Sequence, residues 1–292
     1  CTFFPEARFS LIGKNEPIDG AIGKLVKTCN CPLVFIRMNG NYLRSPQWNK
    51  HPYSKVPLQT EMIQLVTAEE VTTMTADEIQ KRVEDNFVYN DYAWQRANNI
   101  HINMPTRAEN MHRVLYQCPA CGTEFETVGK GTKVKCNHCG KSWTLDTLGN
   151  IVADDGKDIF TDPCEWYDWQ NANVTKQVQE GTYRFVDKVR VERLVDTKTG
   201  FVAMEGTAQM IQDECGITVD GTLDGKPFHL HRDAATMSSL HIEYDFKGRG
   251  DALDLYDGEY TYWVYPLTAK NVLTKLHFAQ IALHKKELEQ GK

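Results

Sequence analysis

A chain of 292 residues, 41% hydrophobic and 25% charged, is long enough for a sizeable core and about two domains. A net charge of -6 with only short charge blocks gives no general support for nucleic-acid binding, and no run of about 18 apolar residues is present to form a membrane-spanning helix. The cysteines form two tight pairs plus the scattered Cys1, Cys29, Cys31, Cys164 and Cys215, a pattern that fits a reducing compartment and a metal site better than a disulfide framework, so the chain reads as cytosolic.

In chain order, Cys1 to Phe4 read as the end of a buried strand and Pro5-Glu6-Ala7-Arg8 as a tight turn. Residues 18–28 carry helical spacing through Ile18, Ile22, Leu25 and Val26, and a short apolar run ends at Gly40. Helix followed by buried strand predicts one βαβ-like step, the local signature of an α/β sheet covered by helices. Residues 40–57 are rich in turn formers and aromatics and read as a surface loop, with a further strand in residues 58–66. Thr75 and Glu78 form a capping box ahead of a helix whose Ile79, Val83 and Phe87 share one stripe. The aromatic run at 87–95 reads as core packing.

Residues 153–158 (ADDGKD) look like an acidic linker. Asp162 as N-cap, Pro163 at the first position and Glu165 at the third start another helix, with Trp166, Trp169 and Val174 supplying apolar surface. From about residue 182 the period changes to two, with Asp196-Thr197-Lys198-Thr199-Gly200 as a hairpin connection. About seven antiparallel strands are expected, closed by a C-terminal helix with Val272, Leu276, Ala279 and Leu283 on one stripe. That is the element order of a pleckstrin-homology-like barrel.

The strongest signal is the pair of CxxCG motifs. Cys118 and Cys121 precede Cys136 and Cys139, with 14 residues between the pairs. Each motif lets two thiolates of one tight turn reach the same ion, and the glycine relieves the backbone. Four thiolates suit tetrahedral zinc at roughly 2.3 Å each. The intervening segment reads as a β-hairpin with a Gly-Lys-Gly turn, and residues 142–149 as a third strand: a zinc ribbon. A closed four-cysteine site leaves no position for water, so its expected role is structural, with His138 a bystander. Acidic residues among the ribbon's few basic ones argue against nucleic acid as its ligand.

Phe4-Pro5-Glu6-Ala7-Arg8-Phe9-Ser10 resembles the third sequence block of the glycerolipid acyltransferases of the 1-acylglycerol-3-phosphate type, usually Phe-Pro-Glu-Gly-Thr-Arg-Ser. Cys31 to Ile36, leading to Gly40, is similar to the fourth block, a proline-led apolar strand. The likeness covers about residues 1–55, and the order of parts looks like the subgroup that carries a zinc ribbon. Phe4, Pro5, Glu6 and Ser10 match; Ala7 replaces Gly, and Arg8 comes one position early. The resemblance implies that Arg8 contacts the acceptor's phosphate bidentately while Glu6 supports it.

The family's first block is a histidine, four residues and an aspartate, with the histidine as general base toward a glycerol hydroxyl. None of the chain's histidines has an aspartate five positions on; His229 with Asp233 and His241 with Asp245 are four apart and read as ordinary β-domain residues. No catalytic residue is therefore assigned in this stretch, and the block is expected upstream. A sheet lacking its first strands would expose apolar edges over residues 1–60.

The resemblance divides the chain into the C-terminal part of an α/β acyltransferase domain (1–60), a helical connecting region (61–112), the zinc ribbon (113–150), a linker and helix (151–181), and a mainly antiparallel β domain with a C-terminal helix (182–292). It implies acyl transfer from coenzyme A or acyl carrier protein to a lysophospholipid-type acceptor, by an enzyme peripheral at the cytosolic membrane face. The alternative is a non-catalytic lipid- or partner-binding module built on the ribbon and the β domain.

Overall fold

The computed structural model describes residues 2–6, 8–18, 20–196 and 198–290. It divides into two compact units. Cys1–Glu109, Gly129–Val134 and Ser142–Glu165 make the first; Asn110–Val128, Lys135–Lys141 and Trp166–Lys292 make the second. The expected strand and turn at the start involve Cys1 and Ala7, and the expected hairpin connection involves Thr197; these three lie outside the described residues. Thr2, Phe3 and Phe4 form no strand, whereas Pro5 and Glu6 do sit in a turn.

The first unit begins with α1 (Ile22–Cys29), β1 (Leu33–Asn39), the single turn α2 (Asn41–Arg44) and β2 (Gln59–Val66). Three helices follow: α3 (Ala68–Thr73), α4 (Ala76–Asn86) and α5 (Asp91–Ala97). The Thr75–Glu78 capping box is formed at the start of α4, and a second box, Thr67 with Glu70, starts α3. Ile22, Val26, Val66, Ile79 and Val83 are core, with Leu33 and Phe35 packed against them. At Gly23 α1 packs close against the start of α4: a Cβ there would fall 2.0 Å from the Ala76 carbonyl oxygen.

The expected βαβ step is not what forms. Among the described residues no strand precedes α1, and β1 pairs antiparallel with β2, Ile36 opposite Met62. The apolar run is covered on one face only. Leu33 and Phe35 face the core, while Val34, Ile36 and Met38 are 46%, 48% and 49% exposed. An alternating strand of this kind belongs to a half-covered antiparallel pair.

A four-stranded sheet runs β3 (Thr127–Lys130), β4 (Lys133–Cys136), β5 (Ser142–Leu145) and β6 (Ile151–Ala153), in that order. Residues 113–150, read as the zinc ribbon, contribute to both units. The β3–β4 turn is Gly131-Thr132, tighter than expected, with Gly131 at φ +62°. The acidic run after β6 does more than connect. Burial pushes the Asp154 carboxyl up, but the Lys133 ammonium and the Ser142 and Thr144 hydroxyls outweigh it and bring it down to about 2. Asp158 accepts the Ala153 N–H.

The helix α6 (Pro163–Gln179) starts as the sequence predicts: Asp162 accepts the Cys164 N–H and Glu165 accepts those of Thr161 and Asp162. The second unit then adds β7 (Phe185–Asp196), β8 (Gly200–Ala203), β9 (Gly206–Asp213), β10 (Gly216–Leu223), β11 (Lys226–Asp233), β12 (Ile242–Glu243), β13 (Ala252–Tyr256), β14 (Thr261–Pro266) and α7 (Leu273–Gln290). Its sheet is antiparallel and eight-stranded, in the order β11-β10-β9-β7-β14-β13-β12, with β8 also on β7. The count exceeds seven because the expected strand 201–211 breaks at Met204-Glu205. The long β7 takes β9 along its first half and β8 along its second. Gly206 lets β9 start there, since a Cβ would lie 2.0 Å from the Thr222 carbonyl oxygen.

The helix α7 buries its predicted apolar stripe and also Thr274, His277 and Gln280, each 0% exposed. These polar groups are satisfied: Thr274 Oγ1 lies 2.7 Å from Tyr244 Oη, His277 Nδ1 3.0 Å from the Leu240 carbonyl, and Gln280 Nε2 donates to the Met237 carbonyl at 2.8 Å. Burial without loss of hydrogen bonding is what makes such a helix stable inside a unit. Among the described residues no helix is long and apolar enough to cross a membrane. The chain is thus a mixed α/β protein with mostly antiparallel sheets and a C-terminal helix.

Candidate metal centre and polar turn

The two CxxCG motifs fold as matching knuckles. In the first, Cys118 N–H donates to Thr123 O at 2.9 Å and Gly122 N–H to Cys118 O at 2.8 Å; in the second, Cys136 N–H donates to Lys141 O and Gly140 N–H to Cys136 O, both at 2.9 Å. Gly122 and Gly140 have φ of +76° and +77°, and a Cβ at either would meet nothing within 4 Å. The glycines therefore serve the left-handed backbone rather than space.

These turns bring Cys118, Cys121, Cys136 and Cys139 together, all four sulfurs within 4.8 Å of one another. Cys118 Sγ lies 3.7 Å from Cys139 Sγ, and Cys121 Sγ 3.9 Å from Cys136 Sγ. A regular tetrahedron with metal–sulfur bonds of about 2.3 Å has edges of about 3.8 Å. Both separations match that edge and far exceed the ~2.05 Å of a disulfide. Burial raises the pKa of Cys118 and Cys136, whereas a hydrogen bond with the Thr123 hydroxyl, joined by one from His138, draws Cys121 down to about 6. The donor set is compatible with structural zinc.

The first knuckle is held firmly within the second unit. Trp166 Nε1 donates to the Gln117 carbonyl at 2.7 Å, and the Gln117 N–H donates to Gln170 Oε1 at 2.8 Å. Tyr116 stacks on Phe125, ring centres 5.4 Å apart, and Lys275 Nζ reaches Glu124 at 2.6 Å. Cys118 and Cys121 thus sit in a segment that α6 and α7 already fix, and an ion there would tie residues 136–139 to it.

In the first unit the expected substrate-binding pair, Glu6 and Arg8, is joined through a third residue. Arg8 donates from Nε and Nη2 to Glu16 Oε2 at 3.0 and 2.6 Å. Glu6 accepts the Glu16 N–H through Oε1 and the Tyr89 hydroxyl through Oε2, both at 2.9 Å. Burial raises the Glu6 pKa. Glu16, not Glu6, orients the guanidinium, and Phe4 and Phe9 stand on either side of the turn at 77% and 72% exposure. Glu16 and Tyr89 were not visible as site residues in the sequence, being 8 and 83 positions from their partners with no motif connecting them.

No family model matches this chain, and neither a curated protein nor a solved structure matches it.

Proposed function

We propose that the chain is the acceptor-side part of a glycerolipid acyltransferase. The reaction moves an acyl chain from a coenzyme A or acyl carrier protein thioester to the free hydroxyl of a lysophospholipid-type acceptor. The histidine of a His-x4-Asp block, supplied by sequence outside these residues, takes the proton of that hydroxyl. The oxygen then attacks the thioester carbonyl, an ester forms, and the thiol leaves. Arg8 anchors the acceptor's phosphate and Glu6 supports the turn.

The observation that carries this reading is the Phe4-Pro5-Glu6 and Arg8 motif, folded as a polar turn whose guanidinium and carboxylates are fixed by one another. A preorganised cation suits phosphate. The exposed Phe4 and Phe9 beside it fit a substrate presented at the cytosolic membrane face. Zinc at the four cysteines has a folding role in this account.

The coding sequence upstream of the Cys1 codon tests the reading. An open frame containing His-x4-Asp supports it. A stop codon, or an open frame without that block, overturns it in favour of a non-catalytic lipid- or partner-binding module.

A further inference from the structure

The first unit holds a small pocket, open to solvent, whose walls include Trp48, Tyr92, Gln95, Arg107, Asp146 and Gly149. One of its polar groups lacks the partner that its burial demands. Gln95 is 1% exposed, and its Nε2 donates to the carbonyls of Ile100 and Thr147 at 3.0 and 2.9 Å. That fixes the amide's orientation and leaves Oε1 buried and without a partner. The oxygen sits against the Gly149 wall, where a Cβ would approach it to 2.5 Å.

Arg107, half-buried, is the cation of the same lining. Its Nε donates to the Leu145 carbonyl at 2.5 Å and its Nη1 to the Met104 carbonyl at 3.1 Å. No carboxylate of the described residues forms an ion pair with it, and burial pulls its pKa below the ordinary guanidinium value. Asp146 is nearby, but its carboxylate is taken by the N–H groups of Leu148 and Asn150 and by Asn150 Nδ2, each at 2.8 Å. Arg107 and Gln95 are moored to carbonyls only two residues apart, those of Leu145 and Thr147, and both line the same pocket.

The pocket thus combines one cation, an unfilled acceptor and a carboxylate in its lining. A fully deprotonated oxyanion satisfies the cation but meets the acceptor oxygens with oxygens of its own. An oxyanion that keeps a hydroxyl satisfies both, donating to the acceptor while its charged oxygens take the guanidinium. We propose that this cavity binds a small oxyanion that retains an O–H at neutral pH, hydrogen phosphate or bicarbonate, held by Arg107 and recognised through Gln95 Oε1. The site stands apart from the acyltransferase reading, which uses Glu6 and Arg8.

Isothermal titration of the full chain with phosphate, bicarbonate and sulfate separately at neutral pH tests this. The expected result is saturable binding of phosphate or bicarbonate, with sulfate weaker by roughly tenfold or more, because a buried acceptor facing an acceptor costs about that factor. The tighter of the first two identifies the ion. Arg107→Gln should weaken that ion by roughly tenfold or more. Since Arg107 also holds two carbonyls, the selectivity of the unaltered chain decides the matter if the variant does not fold. Sulfate binding as tightly as the hydroxylated ions, or no saturable heat from any of them, overturns the proposal.

Discussion

Arg8 spends two of its donors on one oxygen of Glu16, at 3.0 and 2.6 Å, and the pair is nearly buried, with side-chain exposures of 12% and 8%. A guanidinium held this way is aligned but partly neutralised. On the proposed reading, an acceptor phosphate would compete with Glu16 for it.

If the full-length protein is the acyltransferase proposed, that competition makes a kinetic prediction. Arg8→Ala should raise the acceptor KM by roughly tenfold or more, the value of a lost charge-assisted pair. Glu16→Gln should lower the acceptor KM while reducing stability, since it removes the rival carboxylate and leaves a less well-paired arginine. Acceptor kinetics unchanged in both variants would remove Arg8 from the site.

Zinc at the knuckles should be stoichiometric. Elemental analysis of protein purified under reducing conditions should give about one zinc per chain, and Cys121→Ser or Cys136→Ser should lose it. Chelation should lower the unfolding midpoint of the second unit, because structural zinc contributes folding free energy directly. Protein that binds no zinc and is as stable with chelator as without it would contradict the ribbon.

Much of this centre was legible in the sequence because a knuckle is local: spacing, glycine and turn all lie within five residues. The same holds for the caps at Thr75 and Asp162. The Thr67–Glu70 box had the same spacing and was readable too. What escaped was whatever depends on distant partners. The apolar run 33–38 reads the same whether one face or both are covered, and only pairing with β2 shows that Val34, Ile36 and Met38 face outward. Met204-Glu205 gave no turn signal, so one expected strand became two. The stripe of α7 showed only its apolar contacts; residues 234–244 and the β9 residue Gln212 also hold its polar Thr274, His277 and Gln280.

Asp91 illustrates the same gap and carries a pH prediction. It follows the N-cap Asn90 in the first turn of α5, within the run read as core packing, and it is 2% exposed and caps another helix, accepting the N–H groups of Gly40 and Tyr42 at 3.1 and 3.2 Å through Oδ2. Its Oδ1 is buried without a partner, and burial raises its pKa from 3.8 to about 6. The folded chain therefore holds this proton more tightly than the unfolded one. Its charge opposes folding above pH 6, by up to about 3 kcal/mol, and the opposition is relieved as pH falls from 6 towards 4. Asp91→Asn keeps the acceptor and removes the charge. Its denaturant midpoint at pH 7.5 should equal or exceed that of the parent, with less variation between pH 4 and 6. A loss of stability like that of Asp91→Ala would show that the charge is needed.

Asp187 should behave in the opposite sense. Burial pushes its carboxyl up, but the Thr268 hydroxyl and the N–H groups of Ala269 and Thr268 outweigh it, leaving the pKa below the ordinary value. Its contribution is complete above pH 4 and is lost as pH falls through the folded pKa. Asp187→Ala should cost about 1–3 kcal/mol at neutral pH by stranding those donors after β14. An unchanged midpoint would place the stability of this corner elsewhere.

The most direct measurement is acyl transfer by the product of the complete gene. Purified at the membrane face or from detergent and given lysophosphatidate with acyl-coenzyme A or acyl carrier protein, it should form phosphatidate and release one thiol per ester. Where that product carries a His-x4-Asp block, replacing its histidine should abolish the reaction without loss of zinc. A folded, zinc-loaded complete product that transfers no acyl chain from either thioester would contradict the acyltransferase reading.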